Sequence, residues 1–139
     1  MAKLTLRIDF ETADAIGPGK IRLLEHVRDT GSISAAGRAM DMSYRRAWLL
    51  VDALNAAFRQ PVVMTKLGGK SGGGALLTPF GAELVRSYRD MELAAQAAVR
   101  PHLMVLEAAL GPGRREAATL RPAVTPPRRL RSAGARPRS

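Results

Sequence analysis

The chain has no cysteine among its 139 residues, and only six of them are aromatic. The absence of cysteine excludes disulfides, thiolate metal sites and thiol catalysis. No apolar run approaches the roughly 18 residues that a membrane-spanning helix needs, and the N-terminus has no signal-peptide pattern. We therefore expect a cytoplasmic protein that makes no membrane contact.

Acidic residues are scarce at the C-terminal end, and the formal net charge is +10. Residues 1–110 carry 14 Lys and Arg against 11 Asp and Glu, whereas residues 111–139 carry 8 Arg against Glu116 alone. So basic a balance indicates nucleic acid as a partner ahead of an anionic membrane surface. Because most of the excess lies in the tail, a prediction of DNA binding has to come from the pattern in the first hundred residues.

The first part of the chain predicts a strand and then a helix. Residues 3–10 alternate polar and apolar side chains, which is typical of a strand with one buried face. Residues 18–29 carry an apolar stripe at helical spacing, with Pro18 suited to the first position and Gly31 suited to the end.

A helix-turn-helix is predicted next. Ser34 is the expected N-cap of a short helix that ends near Met40, and Ser43 is the expected N-cap of a second helix over about 44–58. The buried face of the second helix is predicted, from helical spacing, at Ala47, Leu50 or Val51, Leu54 and Phe58.

Two short apolar segments, 62–65 and 75–78, predict the strands of a β-hairpin. Five of the seven residues from 68 to 74 between them are glycine, so the tip is expected to be flexible. Thr78 is the expected N-cap of a long helix that begins at Pro79, and Pro101 is expected to interrupt this helix.

The order of these elements predicts a mainly α-helical fold with a small β-hairpin, namely a winged helix-turn-helix with a leading N-terminal strand and a long C-terminal helix. Residues 1–100 are predicted to form the DNA-binding and dimerisation domain, and residues 101–110 a short helical extension. Residues 111–139 are rich in Pro and Arg and are predicted to be a disordered basic tail.

In a helix-turn-helix, the second helix enters the major groove by its N-terminal end. An arginine there can donate two hydrogen bonds to one guanine or pair with a phosphate. Hydroxyls and backbone N–H groups at the start of the first helix favour a phosphate contact, and the cationic hairpin can reach an adjacent backbone or minor groove. The predicted DNA-binding residues are Ser32, Ser34, Ser43, Tyr44, Arg45, Arg46, Lys66, Lys70, Ser71 and Gly72.

Each of these features also has a plainer interpretation. Arg45 and Arg46 could form a solvated helix face, Tyr44 and Trp48 could both belong to the core, and the glycine run could be a mere linker. The tail could be an arm that binds DNA non-specifically or an extension with no specific role.

No pattern supports catalysis, so we expect the protein not to be an enzyme. The Gly69-Lys70-Ser71 triplet lacks the earlier glycine of a phosphate-binding loop, since Met64 stands there, and a strand rather than a helix is predicted to follow. His26 and His102 lack neighbours at metal-ligand spacing, so no metal site is expected.

Three motifs occur together in this chain, at Ser32, Ile33, Ser34 and Ala36, at Ser43, Tyr44, Ala47 and Trp48, and over the stretch from Gly68 to Gly81. Through this combination the chain resembles, over about residues 3–100, the N-terminal domain of the ModE family, the molybdate-responsive transcriptional regulators. Through Ser34, Ala36, Met40, Ser43, Val51 and Leu54 it has a weaker likeness to the helix-turn-helix of LysR-type regulators.

The resemblance implies a homodimer that binds an inverted repeat in double-stranded DNA, held together by residues 3–10 and about 79–100. The family's full-length regulators also carry C-terminal oxyanion-binding modules, and the 39 residues after Arg100 are too few to form them. We therefore expect no cofactor, no bound oxyanion and no other small-molecule ligand.

Pattern and resemblance together predict a sequence-specific DNA-binding transcriptional regulator. One alternative is an architectural, nucleoid-associated protein that binds DNA with little sequence preference. Another is a winged helix used for protein contacts, without DNA binding.

Overall fold

The structure is a computed structural model that describes residues 2–66 and 74–112. Most of this part is helical, with one antiparallel two-stranded hairpin, so the predicted fold class is confirmed. The elements in chain order are α1 (Pro18–Thr30), α2 (Ile33–Ala39), α3 (Tyr44–Ala57), β1 (Val63–Lys66), β2 (Gly74–Leu77) and α4 (Pro79–Ala109).

The strand predicted over residues 3–10 is present only as an isolated bridge, which corrects the sequence-based expectation. The Ile8 N–H donates to the Ile16 carbonyl at 2.8 Å and the Ile16 N–H donates back at 2.9 Å. A strand needs a partner along its length, and the described part of a single chain pairs this segment only at Ile16. The Tyr88 hydroxyl also holds the segment, because it donates to the Leu6 carbonyl at 2.6 Å.

The first helix has the predicted signals at both ends. Pro18 occupies its first position, and Gly31 follows it in the left-handed conformation with φ of 72°. The Gly31 N–H donates to the Val27 carbonyl at 2.8 Å, which satisfies one of the last carbonyls of α1.

The N-cap of α2 is Ser32, not Ser34 as the sequence predicted. The Ser32 Oγ accepts from the Ala35 N–H at 3.0 Å. The helix begins two residues early because Ile33 and Ala36, three residues apart on one face, are both buried. For α3 the predicted N-cap is confirmed, since the Ser43 Oγ accepts from the Arg46 N–H at 3.1 Å.

The core forms between α1, α2, α3 and the start of α4. On α3 the buried residues are Ala47, Val51 and Leu54, so Val51 rather than Leu50 takes the position that the sequence left open. The helices of the helix-turn-helix pack closely at Gly37, where an added Cβ would lie 3.0 Å from the Ala47 Cβ.

One side-chain amide joins α3 to the hairpin. The Asn55 Oδ1 accepts from the N–H groups of Val62 and Val63 at 2.7 and 3.0 Å, and its Nδ2 donates to the Val63 carbonyl at 3.2 Å. Val62 is fully buried, so its N–H needs a partner inside the protein.

Thr78 joins the same segment to α4. Its Oγ1 donates to the Pro61 carbonyl at 2.7 Å and accepts from the Gly81 N–H at 2.9 Å, while its own N–H donates to the Val62 carbonyl at 3.0 Å. Thr78 is thus the N-cap of α4 that the sequence predicted.

Pro101 lies inside α4 and does not interrupt it, contrary to the sequence-based expectation. Proline removes one hydrogen bond, to the carbonyl four residues earlier. Both Pro101 and Ala97 are exposed, so water can satisfy the carbonyl that is left free. The 31 residues of α4 therefore form one rod about 46 Å long.

An ion-pair network ties α4 to α1. The Arg89 guanidinium donates to both carboxylate oxygens of Glu25, at 2.9 and 2.8 Å, and to Glu92 at 2.7 Å. The hydrogen bond from Arg89 lowers the pKa of Glu25 below its usual value, and the two carboxylates raise the pKa of Arg89.

Replacing Gly81 with alanine should destabilise the fold. A Cβ at Gly81 would overlap the Val62 carbonyl oxygen and lie 3.1 Å from the carbonyl carbon, so α4 would have to move away from the hairpin. We expect Gly81→Ala to lower the free energy of unfolding by about 2–3 kcal/mol, measured by urea denaturation. Gly19→Ala is the matched control, because nothing lies within 4 Å of its added Cβ. Equal stability of the two variants would contradict the close approach.

Removing the charge of Glu25 should destabilise the protein in a pH-dependent way. We expect Glu25→Gln to lower the free energy of unfolding at pH 7 by about 1 kcal/mol. Because the pKa of Glu25 is lowered on folding, this difference is fully present above pH 4.5, its usual pKa, and shrinks as the pH falls through the lowered value. The control is Glu83→Gln, whose ion pair with Arg86 is exposed, and it should leave stability unchanged. A difference that grew towards low pH would refute the ion pair.

Candidate nucleic-acid interface

Four elements border one open cleft of about 230 Å³. They are α2 at its start, α3 at its first turns, and β1 and β2 at the ends that lie next to the hairpin tip. The cleft brings together four of the predicted DNA-binding residues, although they are up to 34 positions apart in the sequence. Its lining consists of Ser32, Ile33, Ser34, Tyr44, Trp48, Thr65, Lys66, Gly74 and Ala75.

The hairpin is fixed to the turn between α1 and α2, beside this cleft. The Ala75 N–H donates to the Gly31 carbonyl at 2.9 Å, and an added Cβ on Gly74 would lie 3.2 Å from the same oxygen. Within the hairpin, Lys66 pairs with Gly74. Gly31, the C-cap of α1, therefore fixes the position of Lys66 relative to the start of α2.

The two serines of α2 have different roles in the structure. The Ser32 Oγ accepts the cap hydrogen bond from Ala35, which leaves its hydroxyl hydrogen free to donate to another group. The Ser34 Oγ accepts from the Arg38 Nη1 at 3.0 Å. Arg38 thus adds a cation next to the cleft that the sequence reasoning missed, and its signal was the four-residue spacing from Ser34 on a helix.

Tyr44 is not a core residue, which corrects one of the interpretations that the sequence left open. Its side chain is 58% exposed, and its ring meets Trp48 edge to face with centroids 6.2 Å apart. Trp48 is half-buried and packs against the core. Trp48 therefore supports Tyr44 at the mouth of the cleft.

The cations around the cleft have no acidic partner in the described part of the chain. Arg45, Arg46 and Lys66 are exposed, and their side chains make no ion pair with any residue of 2–66 or 74–112. Arg45 and Arg46 are the second and third residues after the Ser43 cap, so they lie in the first turn of α3, at the positive end of the helix dipole, where an anion is favoured. Such a surface attracts a polyanion.

Some of the predicted site falls outside what the structure describes. Lys70, Ser71 and Gly72 lie in the gap between residues 66 and 74, and the predicted tail lies beyond residue 112. The strand that was expected after the glycine run is present as β2, which agrees with the rejection of a phosphate-binding loop.

The described residues hold no cluster of three or more His, Asp or Glu side chains that could bind a metal ion. None of their helices is long and apolar enough to cross a membrane.

Asn55 and Thr65 were also missed by sequence reasoning. Thr65 lines the cleft, and its only signal was its position in a strand next to Lys66. Asn55 fixes the hairpin against α3. The feature of the sequence that could have indicated this role is an amide side chain four residues after the buried Val51, near the core face of a helix.

No family model matches the chain. It is 35% identical to the molybdenum transport protein ModE of Azotobacter vinelandii over 94 residues, which are 68% of this chain and 35% of that protein. It is 44% identical to the molybdenum-pterin-binding protein MopB of Rhodobacter capsulatus over 81 residues, 58% of this chain and 30% of that protein.

The DNA-binding transcriptional dual regulator ModE of Escherichia coli K12 is 33% identical over 87 residues, 63% of this chain and 33% of that protein. The chain therefore spans about a third of the length of the curated relatives that it matches.

Proposed function

We propose that this chain, a ModE-family protein over the part that its relatives match, is a sequence-specific DNA-binding transcriptional regulator and not an enzyme. The observation that carries the proposal is the cleft, because it joins the start of α3, the start of α2 and the hairpin on one side of the molecule. The cations beside it have no described acidic partner, so their charge favours a polyanion such as double-stranded DNA.

In the proposed complex the first turns of α3 enter the major groove. Arg45 or Arg46 donates two hydrogen bonds to a guanine, and Tyr44 makes apolar contacts next to it. Ser32 and Ser34 meet a phosphate at the start of α2. Lys66 contacts the neighbouring backbone, a contact that Lys70, Ser71 and Gly72 extend.

A homodimer is part of the proposal, and the stretch from Met91 to Leu110, which is most of α4 and its C-cap residue, supports it. Apolar side chains there are unusually exposed, at 42–75%. A helix with so many exposed apolar side chains favours a partner that covers them, and a two-fold dimer would place two α3 helices about 34 Å apart on the DNA. These exposed residues are Met91, Leu93, Met104, Val105, Leu106 and Leu110.

The binding sites can be selected from a random duplex library with the full chain at near-physiological salt. We expect enrichment of an inverted repeat whose half-sites are about one helical turn apart. Because several relatives are named for molybdenum, genes of molybdenum uptake and use are the first places to search for that repeat. Binding without enrichment would indicate an architectural protein, which the excess of arginine after residue 110 favours. No binding at all would indicate a protein-contact role.

Arginine and lysine variants should separate base reading from phosphate binding. We expect Arg45→Ala or Arg46→Ala to weaken binding to the selected site by about 1–3 kcal/mol and to relax preference at one base pair. Lys66→Ala should weaken all duplexes alike and reduce the salt slope by about one. The control is Arg86→Ala, a variant of an exposed arginine on α4, which should change neither property. A changed base preference in Lys66→Ala would contradict its assignment to the backbone.

A further inference from the structure

The outer face of α3 carries one large apolar residue. The core-facing line of this helix is Ala47, Val51 and Leu54, and at about 100° per residue Leu49 lies on the opposite side. Its side chain is 55% exposed. Single exposed leucines are common on protein surfaces, so exposure alone does not indicate a function. The residues that share the helix face with Leu49 are the further evidence.

Leu49 lies one helical turn after Arg45, and the two side chains share the outer face. The same face continues with Asp52 and Ala56, both exposed. Leu49 is therefore the apolar position of the helix face that, on the proposed function above, enters the major groove. A leucine cannot donate or accept a hydrogen bond, so it cannot distinguish the polar edges of the bases.

One apolar group projects into the major groove, the C5-methyl of thymine. We propose that Leu49 packs against the methyl of one thymine in each half-site and is a specificity-determining residue of this protein. At about 1.5 Å rise per residue, Leu49 lies about 6 Å along α3 from Arg45. The thymine is therefore one or two base pairs from the base pair that Arg45 faces.

Deoxyuridine tests this contact, because it pairs like thymidine and lacks only the methyl group. In the selected site, each thymine is replaced in turn by deoxyuridine in both half-sites, and the affinity of the full chain is measured. We expect one position at which the substitution weakens wild-type binding about fourfold per half-site, the effect of exposing one methyl-sized group. In Leu49→Ala the same substitution should change affinity less than twofold.

Two controls distinguish this contact from general effects. Leu110→Ala removes a leucine that is 75% exposed directly after α4, and it should keep the full ratio between the affinities for the thymine and deoxyuridine sites even if a weaker dimer lowers both affinities. Arg45→Ala should bind more weakly but keep the ratio between the thymine and uracil sites. Leu49→Ala is expected to fold, because its side chain is exposed and alanine favours a helix.

The outcomes also separate this inference from the proposed function. A selected repeat whose binding is insensitive to every deoxyuridine refutes the Leu49 contact and leaves the proposed function standing. The contact is also refuted if the loss persists in Leu49→Ala. If no repeat is selected, the proposed function itself fails and the inference fails with it.

Discussion

The carboxamide of Asn55 meets the buried backbone of Val62 and Val63, and the geometry of the cleft between α2, α3 and the hairpin depends on this contact. Val62 is fully buried, and its N–H and carbonyl are satisfied by Asn55 on α3 and by the N–H of Thr78. An unpaired backbone group at this place would cost about 1–3 kcal/mol. α3, the start of β1 and α4 are therefore joined at one residue, and the hairpin cannot shift relative to α3 without breaking several hydrogen bonds together.

The second attachment, between Ala75 and Gly31, acts on the other side of the hairpin. The hydrogen bond between Ala75 and Gly31 fixes the position of Lys66 relative to the start of α2. The contact of Asn55 fixes the position of the hairpin relative to α3. For the proposed function, such rigid support has a consequence, because a preorganised surface does not have to be ordered when a ligand binds.

The basic side chains form two groups, those that stabilise the fold through ion pairs and those that lie beside the cleft. Arg28, Arg86 and Arg89 pair with carboxylates on their own or a neighbouring helix, and the Arg89 network holds α4 on α1. Arg45, Arg46 and Lys66, beside the cleft, have no such partner in the described ranges. Their positive charge remains available to phosphate groups. Contacts between cations and phosphates supply a large share of the affinity in protein–DNA complexes.

Local signals in the sequence were enough to predict most helix ends. Pro18, Gly31, Ser43 and Thr78 act through neighbours within a few residues, so their roles follow from residue type and spacing. Features that depend on distant packing were not predictable in this way. Ser32 replaced Ser34 as a cap because Ile33 is buried, and the role of Asn55 requires the hairpin to fold back onto α3.

The predicted strand over residues 3–10 and the predicted break at Pro101 failed for related reasons. Each depends on what lies beside the segment, a partner strand in one case and solvent in the other, and neither is encoded in the segment itself.

We propose that one side of the molecule, made by α2, α3 and the hairpin, binds DNA. To test this, a selected duplex is titrated into the isotope-labelled full chain, and each backbone amide is followed by NMR. We expect the largest changes at Ser32 to Ser34, Ser43 to Leu49, and Thr65 and Lys66. Changes confined to the outer surface of α1 or to the second half of α4, with none at the start of α3, would contradict it.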